Sequence, residues 1–154
     1  MKLIETRIGI DAPPEEIWDV LMDFPSYAAW NPMVVAISGK REVGAALEVK
    51  IALRGRGPIT FRPKVVEYEP GRRFAWLGKV GVRGVFDGLH RFEVENGREA
   101  STFVHSEEFR GLLPPLLGKL LRDTHESVVA MNEALAQEVG RRNGGPLPGQ
   151  PSQL

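Results

Sequence analysis

Three side chains in the middle of the chain are of the types that move protons: His90, His105 and Glu107. They lie on two runs of alternating character, residues 86–95 and 100–109, on either side of Asn96-Gly97. Asn-Gly between alternating runs is the strongest short hairpin signal, because both residues tolerate the positive φ of a tight turn. Pairing centred there sets His90 opposite Phe103, Gly88 opposite His105 and Phe86 opposite Glu107. Phe86, His90 and Phe92 then share one face with Phe103, His105 and Glu107, with the two imidazoles diagonal neighbours about 7–8 Å apart. Two imidazoles and a carboxylate on an apolar face can orient a polar ligand head or act as acid and base. They can equally form a hydrogen-bonded network that closes one end of the core. Ligand binding is the expected role, with no catalytic residue assigned and no metal expected.

Other chemistry is limited by what the chain contains. There is no cysteine, which removes disulfides, thiolate catalysis and cysteine-ligated metals together. Neither Gly-x-Ser-x-Gly nor His-Glu-x-x-His occurs. The glycine-rich stretch from Gly78 to Gly84 lacks the lysine-serine/threonine ending of a phosphate loop and leads into a strand, where that fingerprint needs a helix. No cofactor is implied. Lysine plus arginine equals aspartate plus glutamate at 20 each, so no basic surplus exists to grip nucleic acid. The greasiest stretch, Leu112 to Leu121, is interrupted by Pro114, Pro115, Gly118 and Lys119. It falls far short of the ~20 apolar residues of a membrane span, so no integral membrane association is expected. The N-terminus has no signal-peptide pattern, and a cytoplasmic location is expected. A homodimer is left open.

The elements that must position the three residues follow from periodicity. Ile4, Thr6, Ile8 and Ile10 alternate with charged residues over 3–11, predicting a strand with one buried face. Pro13, Pro14, Glu15 and Glu16 start a helix, Pro25 ends it, and Ser26 to Trp30 forms a second short one. Period-two runs follow at 33–38, 47–53, 59–68 and 74–79, ahead of the hairpin. Trp76 lies in the run from Phe74 to Lys79 and is expected at a ligand before Trp18 or Trp30. A long helix over 115–139, ended by Gly140, carries Leu117, Leu121, Thr124, Val128, Met131 and Leu135 on one stripe. Leu121, Val128 and Met131 are expected to face the ligand as well as the core. Residues 1–142 are expected to form one domain, with 143–154, rich in proline and glycine, as a disordered tail.

Several segments resemble one family. Ile10-Asp11-Ala12-Pro13 leading to Ile17-Trp18-Asp19-Val20-Leu21, with Trp30-Asn31-Pro32, is similar to the opening of START-like proteins, also called SRPBCC or polyketide cyclase/dehydrase. Val66 to Pro70, Trp76, Gly88 to Phe92 and His105 to Gly111 resemble its later blocks. The resemblance spans residues 3–140 and implies an α+β helix-grip fold. In that fold a curved antiparallel sheet of about seven strands surrounds a long C-terminal helix, with two short helices after the first strand. It also implies an internal cavity for a small hydrophobic or aromatic molecule such as a lipid, quinone or polyketide. Two alternatives stand beside binding: a cyclase/aromatase/dehydratase-type enzyme using His90, His105 and Glu107, and an interaction module without a ligand.

Overall fold

The computed structural model describes residues 1–79, 87–97, 100–111 and 117–144. The first strand, β1 (Lys2–Ile10), turns Ile4, Thr6, Ile8 and Ile10 inward, as its alternation demands. Helix α1 (Pro14–Met22) opens with proline in its first turn and Glu15 and Glu16 at its positive end. It buries Ile17, Trp18, Val20 and Leu21. A short 3-10 turn, Phe24–Ser26, leads to α2 (Tyr27–Trp30), and the Tyr27 hydroxyl donates to the Leu21 carbonyl at 2.7 Å. Asn31 then accepts from the backbone N–H groups of Met33 (3.0 Å) and Val34 (2.8 Å), turning the chain into the strands.

Eight strands are seen among the described residues. β2 (Val34–Gly39), β3 (Leu47–Ile51) and β4 (Ile59–Phe61) form a three-stranded antiparallel sheet in chain order. β5 (Lys64–Glu69), β6 (Arg73–Lys79), β7 (Asp87–Glu95) and β8 (Ser101–Arg110) join β1 in a second sheet, ordered β1-β8-β7-β6-β5. The run 59–68, expected as one strand, is two. Arg62-Pro63 separates them because Pro63 has no N–H for a ladder, and the chain crosses there from one sheet to the other. The sheets are stitched at that crossing by Leu47 N–H to Pro63 (2.9 Å), Gly44 N–H to Val65 (2.8 Å) and Val65 N–H to Ala45 (2.9 Å). The result is a curved antiparallel surface.

Helix α3 (Leu117–Arg142) packs on that surface. Its 26 residues span roughly 39 Å at 1.5 Å per residue. Thr124, Val128, Met131, Leu135 and Val139 make its buried stripe, stepping by three and four. Gly140 does not end it. The stop comes at Gly144, whose φ of 74° is the left-handed conformation favoured at helix ends, with its N–H on the Arg141 carbonyl. No helix among the described residues is long and apolar enough to cross a membrane. Residues 145–154 of the expected tail lie outside the described residues.

The β7–β8 register differs from the expected one by four residues. His90 pairs with Glu107, Phe92 with His105 and Val94 with Phe103. Five residues, not two, connect Glu95 to Ser101. β8 is also held on its other side by β1, from Lys2 opposite Phe109 to Ile10 opposite Ser101, and the Ser101 hydroxyl is fixed on the Ala12 carbonyl at 2.8 Å. The local turn preference yields to that second ladder. A shift of four leaves every side chain on its original face, since the strand period is two.

Candidate functional site

The inward face of the larger sheet is organised in transverse rows. One row runs Val65, Trp76, His90, Glu107 and Ile4 across β5, β6, β7, β8 and β1. On one side of it lies Tyr68, Phe74, Phe92, His105 and Thr6. On the other side Gly78 pairs with Gly88, and Gly88 with Phe109. Aromatic side chains fill the second row, and the core lies over it: Phe74, Phe92 and Phe103 are fully buried. The glycine row has almost nothing to fill it, so a cavity of about 320 Å³ opens there. That volume sits at the lower end of the range for small-molecule sites. The polar row marks the boundary between core and cavity.

Trp76, His90 and Glu107 line the cavity with Gly78, Gly88 and Phe109. Facing them are Met33, Val49, Ile51, Leu53, Ile59, Phe61 and Pro63 from the smaller sheet and its connections, together with Leu117, Leu120 and Thr124 from α3. Arg56 stands at the wall too, paired with Asp123 at 3.4 Å.

The polar residues form one connected chain. His90 stacks flat on Trp76, ring centroids 4.3 Å apart and planes 6° from parallel. Its Nδ1 lies 2.5 Å from Glu107 Oε1, and its Nε2 lies 2.9 Å from His105 Nε2. His105 Nδ1 is 2.9 Å from Asn132 Oδ1. Asn132 Nδ2 donates to Thr6 Oγ1 at 2.7 Å, and Thr6 donates to the His105 carbonyl at 3.3 Å.

These partners fix the protons. A carbonyl only accepts, so Thr6 gives its proton there and takes one from the Asn132 amide. Asn132 Oδ1 therefore accepts from His105 Nδ1–H, which leaves His105 Nε2 as an acceptor for His90 Nε2–H. Burial, joined by the positive field of His90, holds the His105 pKa well below the ordinary 6.5, against the opposing bond to Asn132, so that ring is neutral. One proton then lies between His90 Nδ1 and Glu107 Oε1, since two lone pairs do not meet at 2.5 Å. The cluster holds one carboxylate charge and one compensating proton. Glu107 Oε2 has no hydrogen-bond partner among the described residues, yet it is not sealed off. It is the open end of the chain, on a residue that lines the cavity.

His90, Glu107 and Trp76 thus meet at the cavity. His105 is fully buried behind His90 and reaches the cavity only through it. Phe92, Phe103, Val128 and Met131 are fully buried in the core and do not line the cavity. Leu121 is half-buried and off the lining, whereas Leu117, Leu120 and Thr124 of the same helix are on it. Phe86 lies outside the described residues, as do Val80 to Gly84 of the glycine-rich stretch. Donor atoms of His90, His105 and Glu107 fall within 4.8 Å of one another, close enough for a metal ion, but each imidazole nitrogen already has a protein partner.

Sequence reasoning missed Asn132 and Thr6. Asn132 is legible in retrospect as the one amide among Val128, Met131 and Leu135 on the buried stripe of α3. It also missed the wall supplied by the smaller sheet, because alternation shows which residues share a face and not what that face meets.

Residues 1–140 match the family described as polyketide cyclase / dehydrase and lipid transport. The chain belongs to that family. Among curated proteins no sequence match was found. Among solved structures it is similar to the Zhui aromatase/cyclase of a Streptomyces species, with 19% identity and TM-score 0.74 over 94% of this chain and 99% of that one. A START superfamily protein from Mycobacterium smegmatis aligns with 18% identity and TM-score 0.72, covering 91% and 98%. A point mutant of Thalictrum flavum norcoclaurine synthase, in complex with a transition-state analogue, aligns with 16% identity and TM-score 0.67, covering 92% and 96%. At these identities the likeness is one of fold, and it places this member among START-like helix-grip proteins.

Proposed function

We propose that this family member is a non-catalytic binding protein for a small hydrophobic or aromatic molecule. The ligand's apolar body occupies the cavity between the glycine row, the smaller sheet and α3, and its polar end meets Glu107. The observation that carries this reading is the cavity itself, about 320 Å³ with mainly apolar walls and, among the described residues, one carboxylate oxygen without a hydrogen-bond partner. Apolar walls supply affinity and a few placed polar groups supply orientation. Native mass spectrometry of protein purified from its own host tests it: a retained small molecule is expected in the wild type. Gly88→Leu should lose it. A Cβ at Gly88 would sit 3.8 Å from Phe109, an ordinary contact, so the backbone accepts a side chain and the rest of the leucine fills the cavity. If the variant holds the same ligand undiminished, the molecule sits elsewhere.

A second reading has its own support. A proton shared by His90 and Glu107 at a cavity wall is also what acid–base catalysis needs, as in a cyclase, aromatase or dehydratase. Under that reading Glu107 touches substrate, while His105, out of reach behind His90, positions it.

A further inference from the structure

Resting on the cavity-binding reading above, we infer that the ligand is uncharged and brings a hydrogen-bond donor to Glu107, most simply a phenolic or enolic hydroxyl on an apolar ring system. The reason is the direction of the polar chain. Its proton positions are fixed from the far end: Thr6 on the His105 carbonyl, Asn132 on Thr6, His105 on Asn132, His90 on His105. Only the proton between His90 Nδ1 and Glu107 Oε1 can move. When it rests on His90, Glu107 is a carboxylate and Oε2 accepts. When it rests on Oε1, Oε2 is the carbonyl oxygen of the acid and still accepts. Both states therefore present the same face to a ligand.

Among the described residues the other polar groups of the wall are used within the protein or act in both directions. Both nitrogens of His90 are used within the protein, and Thr124 can give or take. The Arg56 side chain is engaged by Asp123 and 44% exposed. The charge follows from the same accounting. Glu107 and the shared proton already cancel, so an ammonium or a carboxylate placed at Glu107 would meet no net counter-charge from the cluster, which desolvation opposes, and the Arg56 guanidinium is already paired with Asp123. A neutral hydroxyl meets no such penalty. Its bond to Glu107 is strengthened while the proton rests on His90, because a charged acceptor binds a donor more tightly than a neutral one.

Three probes sharing one ring system, one smaller and one larger than the hydroxyl compound, test this: 2-naphthol, 2-methoxynaphthalene and naphthalene, titrated into the full chain by calorimetry or by quenching of tryptophan fluorescence. 2-Naphthol is expected to bind at least about tenfold more tightly than either analogue, the ratio expected when a buried acceptor goes unmet. Glu107→Leu should bring the three together. If Glu107→Leu is too unstable to assay, the wild-type series still decides. Equal binding of the three, or tighter binding of the ether, overturns the donor rule while leaving the cavity reading intact. Binding of none, with wild type and Gly88→Leu alike, overturns the cavity reading and the donor rule with it.

Discussion

His90 has two partners it cannot lose cheaply. Replacing it with phenylalanine keeps an aromatic ring beside Trp76 but strips His105 Nε2 and Glu107 Oε1 of their bonds at once. An unmet buried polar group costs about 1–3 kcal/mol, and His105 is fully buried. His90→Phe is therefore expected to lose about 2 kcal/mol or more in urea unfolding. A neutral or stabilised variant would mean that the chain from Glu107 to Thr6 does not form. Removal of Glu107 strikes at the proposed ligand contact, whereas removal of Asn132 strikes at the far end of the chain.

At the scale of elements, α3 does two things with one stripe. Its first turns carry Leu117, Leu120 and Thr124 to the cavity, and its middle carries Val128, Met131 and Leu135 into the core. Its side meets the β3–β4 connection, where Ser127 accepts from the Arg54 N–H at 3.1 Å and Glu126 pairs with Arg54 at 3.0 Å. That ion pair is exposed and contributes little alone. Val128 is different, being fully enclosed. Val128→Asp would bury a carboxylate within the hydrophobic core, and a loss of about 3 kcal/mol or more is expected. Normal thermal stability in that variant would show that another face of α3 covers the sheet. The strand break at Pro63 belongs to this scale too, since it lets one continuous run serve two sheets.

At the scale of the whole molecule, acid should loosen the fold in two stages. The folded His105 pKa lies below the 6.5 of the unfolded chain, because burial and the positive field of His90 outweigh the bond to Asn132. Below pH 6.5 the unfolded chain binds a proton that the folded one refuses, so this stability is present above that value and falls as pH drops. Glu138 adds a second stage. Its bond to Arg141, opposed by burial and helped by Arg142, lowers its pKa from 4.5 to about 2, so that contribution is full above 4.5 and lost as pH falls through about 2. Glu138 and Arg142 tie the end of α3 to Asp23 beyond α1. Urea unfolding between pH 8 and 3 should show stability declining from about 6.5 downward, by at most about 1.4 kcal/mol per unit from one group. A flat profile from 7 to 5 would place His105 in water or beside an anion.

Alternation and helical spacing are local, and they determined much of this protein from the sequence alone. They put His90, Phe92, Phe103, His105 and Glu107 on one face of β7 and β8, and Val128, Met131 and Leu135 on one stripe of α3. An error of four in the β7–β8 register could not undo this, because four is a whole number of strand periods. Which residue faces which depended on β1, far away in the chain, whose ladder fixes β8 against the preference of Asn96-Gly97. The same holds for the cavity. Gly78 and Gly88 are ordinary in sequence and become a row without side chains only when β6 and β7 pair. Asn132 and Thr6, 126 residues apart, become one hydrogen-bonded unit only when α3 lies on β1. Local rules govern direction. Tertiary packing decides partners, and through partners the proton positions that give Glu107 its open, accepting oxygen.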